Sequence, residues 1–183
     1  MVHENDLIEG CLKGDRQWQK ALYDRFSKKM MAVSLRYCKE RQEAEDVVQE
    51  AFIKVFENIK NYRGESPIEY WIKRIVINTA LNAQRSKLYL YPMVDVSEIT
   101  THSDKEMTLS GFHYEDLLKM IQELPTGCRV IFNLYALEGY KHHEIAEMLN
   151  ISEGTSKSQY SRAKALLQEM LLTTEGMVYE RYK

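Results

Sequence analysis

The sequence predicts an all-α chain, built as two small helical domains joined by a flexible linker. Three observations carry that reading. Only 3 prolines and 8 glycines interrupt 183 residues, of which 44% are hydrophobic and 28% charged. Such a composition fills a core and has the sparse punctuation of a helical protein rather than a disordered one. Apolar residues recur at i, i+3 and i+4 on both sides of a central segment, the spacing of a buried helix face. That central segment, Leu88 to Gly111, loses the periodicity and gathers Pro92, Ser97, Thr100, Thr101, Ser103 and Ser110 among acidic residues. The expected division is residues 1–88 for the first domain, 89–111 for the linker and 112–175 for the second.

Three or four amphipathic helices are expected before the linker. In the best defined, Ala44, Val47, Val48, Ala51, Phe52, Val55, Phe56 and Ile59 form a core-facing stripe over four turns. The opposite side carries Asp46, Gln49, Glu50 and Ile53, an acidic patch beside an apolar residue with no obvious place in the core. The patch reads either as a solvated face or as a docking surface for a protein partner. Tyr62-Arg63-Gly64-Glu65 is expected to be a loop. Ser66-Pro67-Ile68-Glu69 then combines an N-cap, a proline at the first helical position and a capping-box glutamate, so a helix should start there. Ile68, Trp71, Ile72, Ile75, Val76 and Thr79 are its expected core positions. Arg74, Asn78, Asn82 and Arg85 recur on another face, which suits DNA: arginine for phosphate, asparagine for base edges.

About four helices follow the linker. Leu117, Leu118, Ile121 and Leu124 mark one that ends at Pro125. Thr126 is placed to cap the next, with Val130, Ile131, Leu134 and Leu137 as core and Gly139 as its stop. Tyr140 to Leu149 reads as a short helix with Ile145, Ala146 and Leu149 inward, and Asn150-Ile151 as a turn. Ser152 then caps a helix expected to run through Met170. Ser156, Tyr160, Ala163, Leu167 and Met170 lie along its inner side, leaving Lys157, Ser158, Ser161 and Arg162 outward. Two short helices around a tight turn, the second basic at its front, form a helix-turn-helix.

The net charge of −2 argues against a protein that coats nucleic acid by bulk electrostatics. Basic charge is instead local: residues 73–90 hold Lys73, Arg74, Arg85 and Lys87 without an acid, and residues 154–168 hold Lys157, Arg162 and Lys164 without one. Cys11, Cys38 and Cys128 are odd in number and never spaced as CxxC, so buried free thiols are expected rather than disulfides or zinc. The adjacent His142 and His143 point about 100° apart in a helix and lack a third ligand, so no metal or other cofactor is expected. Paired catalytic carboxylates, a nucleophile elbow and a phosphate-cradling glycine loop are absent, which argues against an enzyme. No apolar run is long enough to span a bilayer, and residues Val2 to Asp6 lack the regions of a signal peptide, so a cytoplasmic protein without membrane insertion is expected.

Asp6 through Asp15, Ala44-Glu45-Asp46-Val47-Val48-Gln49-Glu50-Ala51-Phe52, Tyr62-Arg63-Gly64 through Trp71 and Asn78-Thr79-Ala80 together resemble the second conserved region of extracytoplasmic-function sigma factors. Leu124-Pro125, Arg129-Val130-Ile131-Phe132, Glu144-Ile145-Ala146, and Glu153-Gly154-Thr155 with Ser158, Arg162, Ala163 and Lys164 resemble their fourth region. The resemblance covers almost all of the chain except the linker and the tail after about Leu172.

The resemblance implies a two-domain, non-catalytic subunit of bacterial RNA polymerase. Asp46, Gln49, Glu50 and Ile53 would bind the clamp helices of the β′ subunit, and the β flap is a further implied contact on core polymerase. Arg63, Trp71, Arg74, Asn78, Asn82 and Arg85 would serve the −10 promoter element. Thr155, Lys157, Ser158, Ser161, Arg162 and Lys164 would serve the −35 element. An anti-sigma factor is a further implied partner. Ser156 and Gln159 depart from the family pattern of an aliphatic residue and an arginine, pointing to a weaker or altered −35 readout. The competing readings are a helix-turn-helix regulator that binds operators as a dimer, a helical enzyme, and a protein that docks on polymerase without reading promoters. A regulator has no need of the acidic face at Asp46–Ile53 or of Trp71 beside Asn78.

Overall fold

The computed structural model describes residues 3–90 and 114–181, and the side chains of residues 3–84 and 114–173. The chain divides into two compact units, Met1–Arg85 and Ser86–Lys183. Among the described residues every regular element is a helix or helical turn. The expected linker lies outside the described residues except for positions 89 and 90, which continue the last helix of the first unit.

The first unit contains α1 (Glu4–Leu12), α2 (Arg16–Tyr37), α3 (Arg41–Asn58) and α4 (Ile68–Leu90) up to Arg85, with a 3-10 turn over Ile59–Asn61. Asp15 starts α2 by accepting from the Gln17 N–H at 2.8 Å, the ordinary N-cap bond. α2 and α3 form the central pair, and α1 packs on α2. Their facing stripes, Leu22, Phe26, Met30 and Val33 against Ala44, Val47, Val48, Ala51, Phe52 and Val55, are buried. The predicted stripe is buried from Ala44 to Val55 and again at Ile59, in the 3-10 turn, while Phe56 is half-buried. Truncating one of its large members, such as Phe52→Ala, costs about 3–5 kcal/mol. α4 closes the core with Ile68, Ile72, Val76 and Thr79, and adds Ile77 and Ala80. Polar ties fix its place: Gln84 Nε2 donates to Glu43 Oε1 at 3.0 Å, and Lys54 Nζ to Thr79 Oγ1 at 3.3 Å. Trp71 and Ile75, expected in the core, are half-buried instead.

The second unit contains α5 (Tyr114–Glu123), α6 (Thr126–Phe132), α7 (His142–Leu149) and α8 (Glu153–Arg181), and α5, α6 and α7 each pack on α8. Met120, Leu124, Cys128, Phe132, Ala163 and Leu167 form a core cluster, with Ile121, Tyr160 and Met170 against it. Thr126 is the first residue of α6 rather than its cap, a position held by Pro125. Leu137 was expected in the core and is 41% exposed. The reason is a π-turn over Asn133–Leu137, closed by Glu138 N–H to Asn133 O at 3.0 Å. This wider turn inserts a residue and rotates the succeeding positions by about 100°, carrying Leu137 off the core face.

Gly139, at φ +80°, ends the turn as expected. α7 begins at His142, two residues later than predicted, where the Lys141 N–H donates to Glu144 Oε2 at 2.7 Å. Asn150, at φ 54°, makes the left-handed turn into α8. Ser152 caps that helix through the Thr155 N–H at 2.9 Å, as the sequence suggests, but α8 runs beyond Met170 to Arg181. Cys11, Cys38 and Cys128 are free thiols in buried positions.

Candidate nucleic-acid interface

α3 buries one stripe and thereby turns Asp46, Gln49, Glu50 and Ile53 outward; all four are exposed. Gln42 Nε2 donates to Asp46 at 3.3 Å and Lys54 pairs with Glu50 at 2.6 Å, so both carboxylates are held in place within their own helix. Ile53 is 58% exposed among them. Every other apolar residue of α3 is buried or half-buried.

On α4, Arg74, Asn78 and Asn82 are exposed along one face, as their spacing predicts. Arg85 lies on the same helix, its side chain outside the described set. Arg63 stands in the exposed loop before α4, 3.9 Å from the Glu65 carboxylate, with both side chains largely in solvent. Trp71 packs its ring against Tyr62 with centroids 5.6 Å apart and planes at 58°. That pair leaves a partly open aromatic surface next to the loop. Such surfaces stack unpaired bases, at about 1–3 kcal/mol per base. Glu69, expected to close a capping box, pairs with Lys29 of α2 at 2.8 Å, and α4 starts at Ile68 rather than at Pro67. The N–H of Ile68 instead donates to Glu4 of α1 at 3.2 Å, a contact 64 positions away that no local motif signals.

The α8 residues do not share one environment. Lys157 is exposed and ion-paired with Glu153 at 2.7 Å. That pairing holds the Glu153 carboxyl below its ordinary value. Ser161, Arg162 and Lys164 are half-buried, with Lys164 over the Tyr160 ring at 5.6 Å. Ser158 is half-buried and donates to the Thr155 carbonyl at 3.1 Å. Thr155 differs from all of these: it is 8% exposed, and its hydroxyl lies 2.8 Å from Ser152 Oγ in the turn that starts the helix. Its place is in the scaffold of the turn rather than on the outward face.

The two departures from the family pattern, Ser156 and Gln159, shape this helix from its buried side. Gln159 is buried and accepts from Cys128 Sγ at 3.1 Å, so its amide replaces a missing charge on the surface with a polar tie in the core. Ser156 is fully buried, its hydroxyl 2.9 Å from His142 Nδ1. His142 stacks on Tyr135 at 4.2 Å. Burial first, and then the Lys157 charge, hold this imidazole below its ordinary value against a smaller opposing pull from Glu153. The paired departures at 156 and 159 thus meet matching polar partners at 142 and 128, visible in sequence only once the helices are placed together. Among the described residues no group of three or more His, Cys, Asp or Glu is placed to hold a metal ion. Nor is any described helix long and apolar enough to cross a membrane.

Comparison with known proteins gives these surfaces a family. Sigma-70 region 2 matches residues 22–88, and Sigma-70, region 4 matches residues 114–167. The ECF RNA polymerase sigma-E factor of Haemophilus influenzae is 30% identical over 178 residues, 90% of this chain and 93% of that protein. The RNA polymerase sigma-H factor of Pseudomonas aeruginosa is 29% identical over 184 residues, 92% and 93% of the two chains. Among solved structures, the sigma factor RpoE of Bartonella quintana, in complex with the anti-sigma factor NepR, shares the fold. Its TM-score is 0.53 at 22% identity, over 83% of this chain and 95% of that one. Two sigma-70 regions in their family order, with relatives matched over nearly their whole length, show that this chain belongs to the extracytoplasmic-function group of sigma-70 family RNA polymerase sigma factors, which act in transcription initiation.

Proposed function

We propose that the chain binds core RNA polymerase through the outer face of α3 and directs it to promoters that α4 reads at the −10 element and α8 at the −35 element. Ile53 carries the docking part of this reading. An apolar side chain left 58% exposed amid Asp46, Gln49 and Glu50 has the make-up of a protein interface, with an apolar centre and a polar surround. The β′ clamp helices are the proposed partner of this face, and the β flap that of the second unit. An anti-sigma factor is proposed as a further partner, as for the Bartonella quintana protein solved with one.

At the −10 element, Arg74 and Arg85 neutralise phosphates while Asn78 and Asn82 offer amides to base edges. An unstacked base lodges between the Arg63–Ser66 loop and the surface of Trp71. Capturing it offsets an unstacking cost of a few kcal/mol, so strand opening draws on binding energy and needs no covalent chemistry. At the −35 element, Lys157, Ser158, Ser161, Arg162 and Lys164 face the major groove, with Thr155 fixing the helix start. A net charge of −2 gives the free protein little affinity for DNA, which leaves positioning to the polymerase.

The test is to combine the purified protein with bacterial core polymerase and follow run-off transcription on a genomic fragment library. Stoichiometric binding with new, discrete start sites is the expected result. Failure of the folded protein to bind core would overturn the proposal in favour of an operator-binding regulator.

A further inference from the structure

α1 touches neither promoter nor polymerase in the proposed function, yet it holds both ends of the loop assigned to the −10 element. Before the loop, α1 packs against the 3-10 turn Ile59–Asn61. After it, Glu4 Oε1 accepts from the N–H of Ile68, the first residue of α4, at 3.2 Å. The first N–H groups of a helix have no partner within it, and a carboxylate there is also favoured by the helix dipole. Glu69, the next residue, turns its carboxylate to Lys29 Nζ at 2.8 and 3.0 Å. A residue from another helix therefore supplies the cap.

Within the loop the ties are few. The Tyr62 hydroxyl donates to the Ser66 carbonyl, and the Tyr62 ring rests on Trp71. Gly64, at φ +72°, makes the turn in a conformation that other residues rarely adopt. Residues 63–67 are otherwise exposed. Burial, and then the nearby Glu4 charge, push the Tyr62 hydroxyl above its ordinary value.

We infer that Glu4 is a positioning residue for promoter reading: by capping α4 from α1 it fixes the Arg63–Ser66 loop and Trp71 in the geometry that receives an unstacked base. This rests on the proposed −10 reading and names a residue outside the DNA-facing surface. Removing the cap frees the downstream stem of the loop. Discrimination then falls, while docking through α3 is untouched.

The test uses holoenzyme assembled with the full chain. It compares initiation on a preferred promoter with initiation on templates carrying single substitutions across the −10 element. Glu4→Ala is expected to lower that ratio about fivefold, the equivalent of one hydrogen bond. Glu4→Gln, which keeps an acceptor oxygen, is expected to retain it. Asp15→Ala, which removes the cap of α2, controls for a general loss of stability and is expected to leave the ratio unchanged. An unchanged ratio in Glu4→Ala, an equal fall in Asp15→Ala, or failure of Glu4→Gln to retain the ratio each overturns the inference. The double variant Arg63→Ala, Glu65→Ala separates the two levels. If it alters the ratio while Glu4→Ala does not, the positioning role falls and the −10 reading stands; if neither alters it, both fall.

Discussion

Replacing Arg129 with methionine removes a fully buried guanidinium while keeping most of its stem. Arg129 Nη1 donates to the Gln122 carbonyl at 2.9 Å and to the Leu124 carbonyl at 3.3 Å. It thereby ties the end of α5 to α6, with the guanidinium buried and the Gln122 bond part-buried. Methionine leaves two carbonyls without that donor, at about 1–2 kcal/mol each, for a total near 2–4 kcal/mol. In a domain of this size each kcal/mol shifts the melting temperature by about 4–8 °C, so the second unit should melt on the order of 10–25 °C earlier. The assay exploits where the tryptophans lie: both, Trp18 and Trp71, are in the first unit. Tryptophan fluorescence therefore reports the first unit, and far-ultraviolet circular dichroism both. The fluorescence midpoint should stay in place while part of the dichroism transition moves down. Equal displacement of both signals, or a shift below about 3 °C, would mean that the Arg129 bonds do not hold the second unit together.

Asn78→Ala should leave core binding intact and impair strand opening, read as reduced permanganate reactivity of unpaired thymines at the −10 element. Arg162→Ala should weaken −35 recognition by roughly 1–3 kcal/mol with the loss concentrated at one base position; a uniform loss across sequences would assign it to phosphate instead. The folded state holds the His142 proton less tightly than the unfolded chain, so the second unit should lose stability as pH falls through about 6.5 toward the lower folded value. His142→Asn should flatten that dependence in melting curves taken from pH 7.5 down to pH 5.

The helices were legible in sequence wherever their cores are simple apolar stripes. Ala44 through Ile59 announces its buried face because no polar residue interrupts the spacing, and the opposite face is exposed as that spacing requires. Asn150 and Ser152 mark the turn and cap of the helix-turn-helix for the same reason: each has a local backbone role that its chemistry fits. Misreadings arose where distant residues or backbone geometry decide. Leu137 left the core because a π-turn shifts the phase, which no periodicity count contains. Glu69 pairs with Lys29, and the N–H of Ile68 goes to Glu4, a residue of another helix. Gln159 and Ser156 looked like surface and core anomalies until Cys128 and His142 were brought beside them. Arg129 is a charge that apolar patterning cannot place, since its burial depends on carbonyls freed at the end of a neighbouring helix.

In the proposed function the exposed face of α3 docks this chain on RNA polymerase. Its most direct test is the affinity for core polymerase of the double variant Asp46→Arg, Glu50→Arg, measured beside the unaltered protein with matched dichroism and melting curves. Both side chains are exposed and their contacts stay within α3, so the variant should keep its fold and lose stable association with core. Binding equal to that of the unaltered chain would mean that the face is a solvated surface and that docking lies elsewhere.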